Sequence, residues 1–480
     1  MTSLYNIAKK FATFIGPGIM ISVAYMDPGN YSTSVSAGAN YQYKLLFTVF
    51  ISNIFAVILQ VLCIKLGSVT GLDLAENCKV HLPKWLNIIL YIHAELAIVA
   101  TDLAEVVGTA ITLEILFGID IVYGVLITIL DVLVILLFYK PESNSMRNVR
   151  AFEFFVGLFV LATCVCFGIE LCKIDVQDPW EIARGYLPST ALLEEKGLYL
   201  SLGILGATVM PHSLYLGSSI VQSRIKDFDL KHEFKSTESS SSKPSIHALR
   251  HCLNYSYAEL IISLFLVATF VNSSILIVSG ATLYGRPDAD DADLLSIYEM
   301  LSKYISPAAG LVFALAMLFS GQSAGIVCTM AGQIVSEGFI TWSISPWARR
   351  LITRMLAIIP CFIVTLLLGR KGIADILNLS QVILSLILPF VSAPLIYFTS
   401  SSKFMTVEVD SLSEETTSGQ SSGLARDETH PLIPSKKTCK AEDFRNGSIL
   451  TTVSVLVWGT IAFFNVYLVA SWLFGKVDHL

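Results

Sequence analysis

Asp27 and Asn30 flank Pro28-Gly29 in the stretch AYMDPGN (24–30), and Met210 precedes Pro211 in GATVMPHSLYLG (206–217). A carboxylate, a side-chain amide and a thioether beside proline breaks are residue types that coordinate metal ions. Proline removes a backbone donor and stops a helix, which frees carbonyl oxygens as ligands. Pro211 should free one near Ala207. Oxygen ligands alone would suit Ca²⁺ or Mg²⁺, whereas a sulfur favours softer first-row ions such as Mn²⁺ and Fe²⁺. In a soluble protein D-P-G-N is an ordinary turn, and a lone Met in a span is ordinary packing. Here both lie inside apolar runs, where an aspartate costs about 2.5–3.5 kcal/mol, so a functional site is the better reading.

A second set of groups lies on YIHAELAIVATDLAEVVGTA (91–110). Helical spacing puts Glu95 and Asp102 about 20° apart in projection, with Glu105 about 60° further round. Three carboxylates on one stripe of a membrane helix need either a water path or partners. Arg354, in WARRLITRMLA (347–357), is the candidate partner for Asp102 or Glu105. The stripe suits a proton path, and the competing reading is a structural ion-pair network. Arg349 and Arg350 read as anchors at the membrane interface.

The elements that must position these groups are membrane helices. Of 480 residues, 54% are hydrophobic and only 15% charged, and the mean hydropathy is +0.66. A soluble domain carries far more charge, so the chain is a polytopic membrane protein. The runs are long and continuous, which excludes an outer-membrane barrel. Spans are expected near 11–38 (interrupted), 44–67, 85–115, 121–139, 152–172, 197–222 (interrupted), 250–280, 306–338, 350–369, 373–400 and 448–474. The polar segments 223–249 and 401–447 read as loops. The nine Cys are scattered; Cys164 and Cys166 point to different faces of a helix, and no disulfide frame or zinc pattern is expected. Most of the 32 Lys and Arg fall in segments that become cytosolic if residues 1–10 are cytosolic. The acidic RPDADDAD (286–293) then falls on the other side, together with the C-terminus at Leu480.

Spans 1 and 6 are the two with a proline beside a polar residue near mid-depth, and they occupy the same place in consecutive sets of five. That pattern predicts an all-α inverted repeat, 11–172 and 197–400, with a binding site between the repeats. Span 11 and the C-terminus follow at 448–480.

MDPGN, ATDLAEVVGTA (100–110), GATVMPHS and GQSAGIVCTMAGQIVSEG (321–338), in this order, resemble the Nramp family of proton-coupled divalent-metal transporters. The similarity runs from about Phe11 to Ser400, and is nearest to the fungal branch that resides in the vacuolar membrane and releases stored iron to the cytosol. The resemblance implies a LeuT-like fold of five plus five helices. It implies metal ligation by Asp27, Asn30, the Ala207 carbonyl and Met210, joined by Gln381 of NLSQVILS when the site is occluded. It links His212 to proton coupling and places a basic residue at Arg354. One departure is Gly217, where bacterial relatives often carry a second His. ETHPLI (428–433) fits an acidic dileucine signal read by a sorting adaptor through Glu428, Leu432 and Ile433, in keeping with a vacuolar or endolysosomal membrane.

Fe²⁺, Mn²⁺ and H⁺ are then cargo; no cofactor and no nucleic-acid partner are expected. Two other readings compete. A LeuT-type symporter of amino acids would want small Gly-rich breaks rather than Asp27 and Met210. A non-transporting Nramp-like sensor would carry a large output domain, and 401–445 is the only candidate for one. No G-x-x-x-x-G-K-[ST] loop or nucleophile–base set is present, so neither ATP-driven transport nor an enzyme is expected.

Overall fold

The computed structural model describes residues 16–128, 146–174, 178–232, 243–286, 294–340, 346–408 and 441–473. In hydrocarbon every backbone donor and acceptor must be satisfied within the segment, so each apolar run closes into a helix. Among the described residues eight helices are long and apolar enough to cross a membrane. They build on α3 (Leu46–Thr70), which the short α4 (Leu74–His81) follows, on α5 (Lys84–Phe117), α6 (Met146–Lys173), the pair α7 (Glu195–Thr208) and α8 (Pro211–Ile220), and α9 (Ile246–Thr282). The rest are α10 (Pro307–Phe339), the second part of α11 (Pro346–Ser400), and α12 (Ser448–Leu473).

The three other expected spans also have helix. The first is broken into α1 (Pro17–Val23) and α2 (Pro28–Tyr41). The fourth is helical at 121–128, and its remainder lies outside the described residues. The ninth is Leu351–Leu367, the first part of α11 before a kink at Gly369 (φ 62°). Inside α9, Ser263–Ala268 form one wide π turn facing α1.

The broken helices sit at the centre. α2 packs on α9, α7 and α11, while α5 packs against α10 and α11. The start of α1 is held by the Glu259 carboxylate of α9, which accepts from Gly16 N (2.9 Å), Gly18 N (2.7 Å) and Ile19 N (3.3 Å). A carboxylate at the positive end of a helix is favourable, and here it satisfies donors that would otherwise be orphaned in a buried place.

Two expected loops prove partly ordered. Segment 223–249 was expected as loop, yet Gln222–Lys231 is a helix with Gln222, Arg224, Ile225 and Asp229 on its buried face. Asp229 then accepts from Ser245 N (3.0 Å) and from Ser245 Oγ, and Ser245 caps α9. Buried polar pairing overrides a low-complexity sequence there. Segment 401–447 begins and ends as a two-stranded antiparallel clip, β1 (Thr406–Glu408) on β2 (Ala441–Asp443). It is held by the burial of Phe404 and Met405 and by an Arg250–Glu442 ion pair of 2.7 Å. Glu428, Leu432 and Ile433 lie outside the described residues.

α11 reaches the centre only because Gly206 of α7 lacks a side chain: a Cβ there would meet the Gln381 carbonyl oxygen and Ser385 N at 2.6 Å or closer. Both are backbone atoms and cannot swing aside. Gly206→Val is therefore expected to destabilise the protein by about 1–3 kcal/mol, read as a lower thermal midpoint of the purified protein. Gly459→Ala, where a Cβ meets nothing within 4 Å, should leave that midpoint unchanged.

Candidate metal site and the charged cluster beside it

The first break spans Ala24 to Met26, whose backbone N–H groups bond three residues back, to Ile21, Ser22 and Val23. Asp27 then caps α2: its Oδ1 accepts from Asn30 N at 2.9 Å, and Pro28 occupies the first helical position, where no donor is needed. So MDPGN is a helix start rather than a turn. The second break follows the same chemistry. Pro211 has no N–H to offer Ala207, so the Ala207 carbonyl is released from the helix. It accepts instead from Asn30 Nδ2, at 2.8 Å.

The same Asn30 amide donates to Asp27 Oδ1, also at 2.8 Å. One side chain thus bridges the two breaks. Asp27 and Ala207 are 0% exposed and Asn30 2%. The second oxygen, Asp27 Oδ2, is buried without a hydrogen-bond partner. Met210, three residues beyond Ala207 at the head of α8, is fully buried, and its carbonyl accepts from Ser213 Oγ at 2.7 Å. Gln381 is buried on α11 beside Gly29, where a Cβ would collide with its amide. Its Nε2 donates to Ser380 Oγ (3.0 Å), and its Oε1 has no partner. Asp27, Asn30 and Ala207 are therefore joined by hydrogen bonds with Gln381 packed beside them at Gly29, the oxygens Asp27 Oδ2 and Gln381 Oε1 are buried without partners, and Met210 lies in the same break as Ala207.

The charged groups gather next to this site. Arg354 Nη1 lies 3.0 Å from Glu105 Oε2 and 3.4 Å from Asp102 Oδ1, with all three side chains at most 2% exposed. Cys328 of α10 adds a thiol that donates to Asp102 Oδ1 at 3.3 Å. The ligand atoms of Asp102, Glu105 and Cys328 all lie within 4.8 Å of one another. Such a trio could hold a cation, but a guanidinium already occupies it. His212, two residues past Met210, has its Nδ1 3.3 Å from Thr101 Oγ1, next to Asp102 in sequence. The structure thus joins the second break to α5 at the residue beside Asp102. Glu95 lies half-buried two turns nearer the start of α5.

Sequence reasoning missed several groups. Gln60 of α3 donates from Nε2 to Tyr25 OH (3.0 Å) and Ser213 Oγ (2.9 Å), clasping the two breaks together from the side of α1 and α8. Gly217, the position that departs from the bacterial pattern, leaves room that Gln60 Oε1 fills. Glu153 and Arg224 form a buried ion pair of 2.7 Å near the start of α1. An isolated polar residue within an apolar run was the available signal for Gln60, whereas Arg224 lies in a polar segment that carried none.

Known proteins resemble this chain in sequence and fold. Over its full length the chain is 62% identical to the iron transporter SMF3 of Saccharomyces cerevisiae, covering 100% of both chains. It is 46% identical to the manganese transporter SMF1 of the same yeast, over 96% of this chain and 86% of that one. The crystal structure of a manganese transporter of Eremococcus coleocola superposes with a TM-score of 0.75 at 31% identity, covering 98% of this chain and 90% of that one. The fold is the LeuT-like one, with its first and sixth spans broken. With the model of natural resistance-associated macrophage protein-like proteins matching residues 18–418, the chain belongs to the Nramp family.

Proposed function

We propose that this protein is a proton-coupled secondary transporter that carries Fe²⁺ and Mn²⁺ from the vacuole lumen to the cytosol by alternating access. The observation that carries the reading is the Asn30 side chain. It bridges Asp27 Oδ1 and the Ala207 carbonyl, one oxygen from each broken helix, at full burial. Turning that amide over exchanges its NH₂ for Oδ1 and leaves three converging oxygens for a cation. Met210 would add sulfur and tilt the set toward softer ions, and Gln381 Oε1 would join as α11 closes. The names of the relatives, an iron and a manganese transporter, support these cargo ions.

Metal ligands must be deprotonated, so cation binding at Asp27 releases any proton held there. The path we infer runs from His212 and Thr101 to Asp102, Glu105 and Arg354, and on past Glu95 to the cytosol. Pairing with Arg354 keeps two carboxylates tolerable at this depth, where an unpaired charge is costly. The two repeats, 11–172 and 197–400, would rock against each other around the site.

The basic residues support a cytosolic N-terminus, cytosolic loops at 223–249 and 401–447, and a lumenal C-terminus. The ETHPLI stretch supports adaptor contact at Glu428, Leu432 and Ile433 and a vacuolar destination.

Proteoliposomes with an imposed pH gradient and a metal-quenched dye test the whole reading. Asp27→Ala should lower Mn²⁺ and Fe²⁺ uptake about 100-fold or more, and normal flux in that variant would refute the ligand assignment. For Met210→Ala the expectation is retained Mn²⁺ uptake with Ca²⁺ competing about tenfold better, measured by competition. Asp102→Asn should abolish metal-driven acidification of the receiving compartment while Mn²⁺ binding, by calorimetry, stays within about twofold.

A further inference from the structure

We propose that Asn378 is a latch that closes α11 over the loaded metal site from the lumenal side by bridging two turns of α2. It is a positioning residue: it touches no ligand atom and acts through the helix that carries Asp27 and Asn30. Ser32 Oγ donates to Asn378 Oδ1 at 2.9 Å, and Asn378 Nδ2 donates to Ser36 Oγ at 3.1 Å. Both ends of one amide are used, on two hydroxyls a single helical turn apart. This fixes α11 against α2 in register and in rotation.

The place of the bridge gives it a function. Ser32 stands two residues after Asn30, and Asn378 stands three before Gln381. At Gln381 the same helix fits between Gly29 of α2 and Gly206 of α7. Closing α11 therefore brings the unpartnered Gln381 Oε1 toward the unwound segment and engages Asn378 one turn further out. Under the orientation proposed above, the C-terminal end of α2 and the start of this part of α11 face the lumen.

The chemistry suits a contact that must be made and broken. A permanent helix interface in a membrane combines close-packed small residues with interhelical hydrogen bonds, and those bonds are shut away from water. Here Asn378 is only half-buried. If α11 swings away into a water-filled vestibule, the amide and both hydroxyls exchange each other for water at little net cost. A cation that draws Asp27, Asn30 and Gln381 together pulls the two halves of the bridge into range. Closure thus becomes conditional on cargo.

This inference rests on the transport reading, and its test separates the two. Asn378→Ala is expected to lower the maximal rate of Mn²⁺ uptake about five- to tenfold, while Mn²⁺ binding by calorimetry stays within about twofold. The joint variant Ser32→Ala/Ser36→Ala should match it. The double variant Ser36→Cys/Asn378→Cys, in the full chain with each single variant as control, should join through the short reducible crosslinker ethanediyl bismethanethiosulfonate. That join should go about threefold faster with saturating Mn²⁺, arrest uptake, and be reversed by dithiothreitol. Adding Asp27→Ala should abolish the Mn²⁺ effect; acceleration that persists there keeps the latch and removes Asp27 as the ligand. Wild-type uptake in Asn378→Ala, or equal crosslinking rates with and without Mn²⁺, would reduce the bridge to a packing contact and overturn the proposal.

Discussion

The structure turns on the requirement that backbone polar groups at membrane depth find partners within the protein. Two prolines stop two helices near the centre of the chain's apolar mass, at Pro28 and Pro211. Each break is costly alone, because it leaves carbonyl oxygens and helix-end donors in a place without water. The breaks face each other, and the Asn30 amide satisfies an oxygen from each. What a soluble protein would treat as a turn becomes a buried polar junction between helices. Asp27 Oδ2 and Gln381 Oε1 are left over in it, and buried oxygens without donors are what a cation can use.

The same constraint explains the surroundings. The start of α1 cannot be left bare, and Glu259 takes three of its N–H groups. The carboxylates of α5 could not remain as an unpaired stripe, and Arg354 draws two of them into one cluster with the Cys328 thiol. Gln60 and Tyr25 close the side toward α8, and Asn378 closes the side toward the end of α2. The junction is thus braced at these two places by neutral amides and hydroxyls rather than by ion pairs. Neutral bridges exchange for water more readily than buried charges do. That suits the alternating access proposed above.

The periphery follows different physics. The β1–β2 clip and the helix Gln222–Lys231 lie in segments whose composition resembles loop. They are ordered by a few anchors: Phe404 and Met405 under the clip, and Asp229 on Ser245. Such anchoring ties the link between α11 and α12 to the start of α9 through Arg250 and Glu442.

The rough bounds of the described spans were legible in the chain because a membrane helix is a local object: its length and apolarity are set by the segment itself. The two breaks were legible for the same reason, since Pro28 and Pro211 act on their own helices. Asp27, Asn30 and Ala207 could be named because each lies within a turn of a break. Partnership between distant segments was another matter. Nothing local tells that Asn30 reaches Ala207, that Arg354 takes both Asp102 and Glu105 rather than one of them, or that Glu259 caps α1. Those pairings depend on how helices far apart in sequence cross, and crossing is decided by side-chain volume at contacts such as Gly206 against the backbone of α11. Gln60, Cys328 and Asn378 look like stray polar residues in apolar runs until the packed helices show what each one touches.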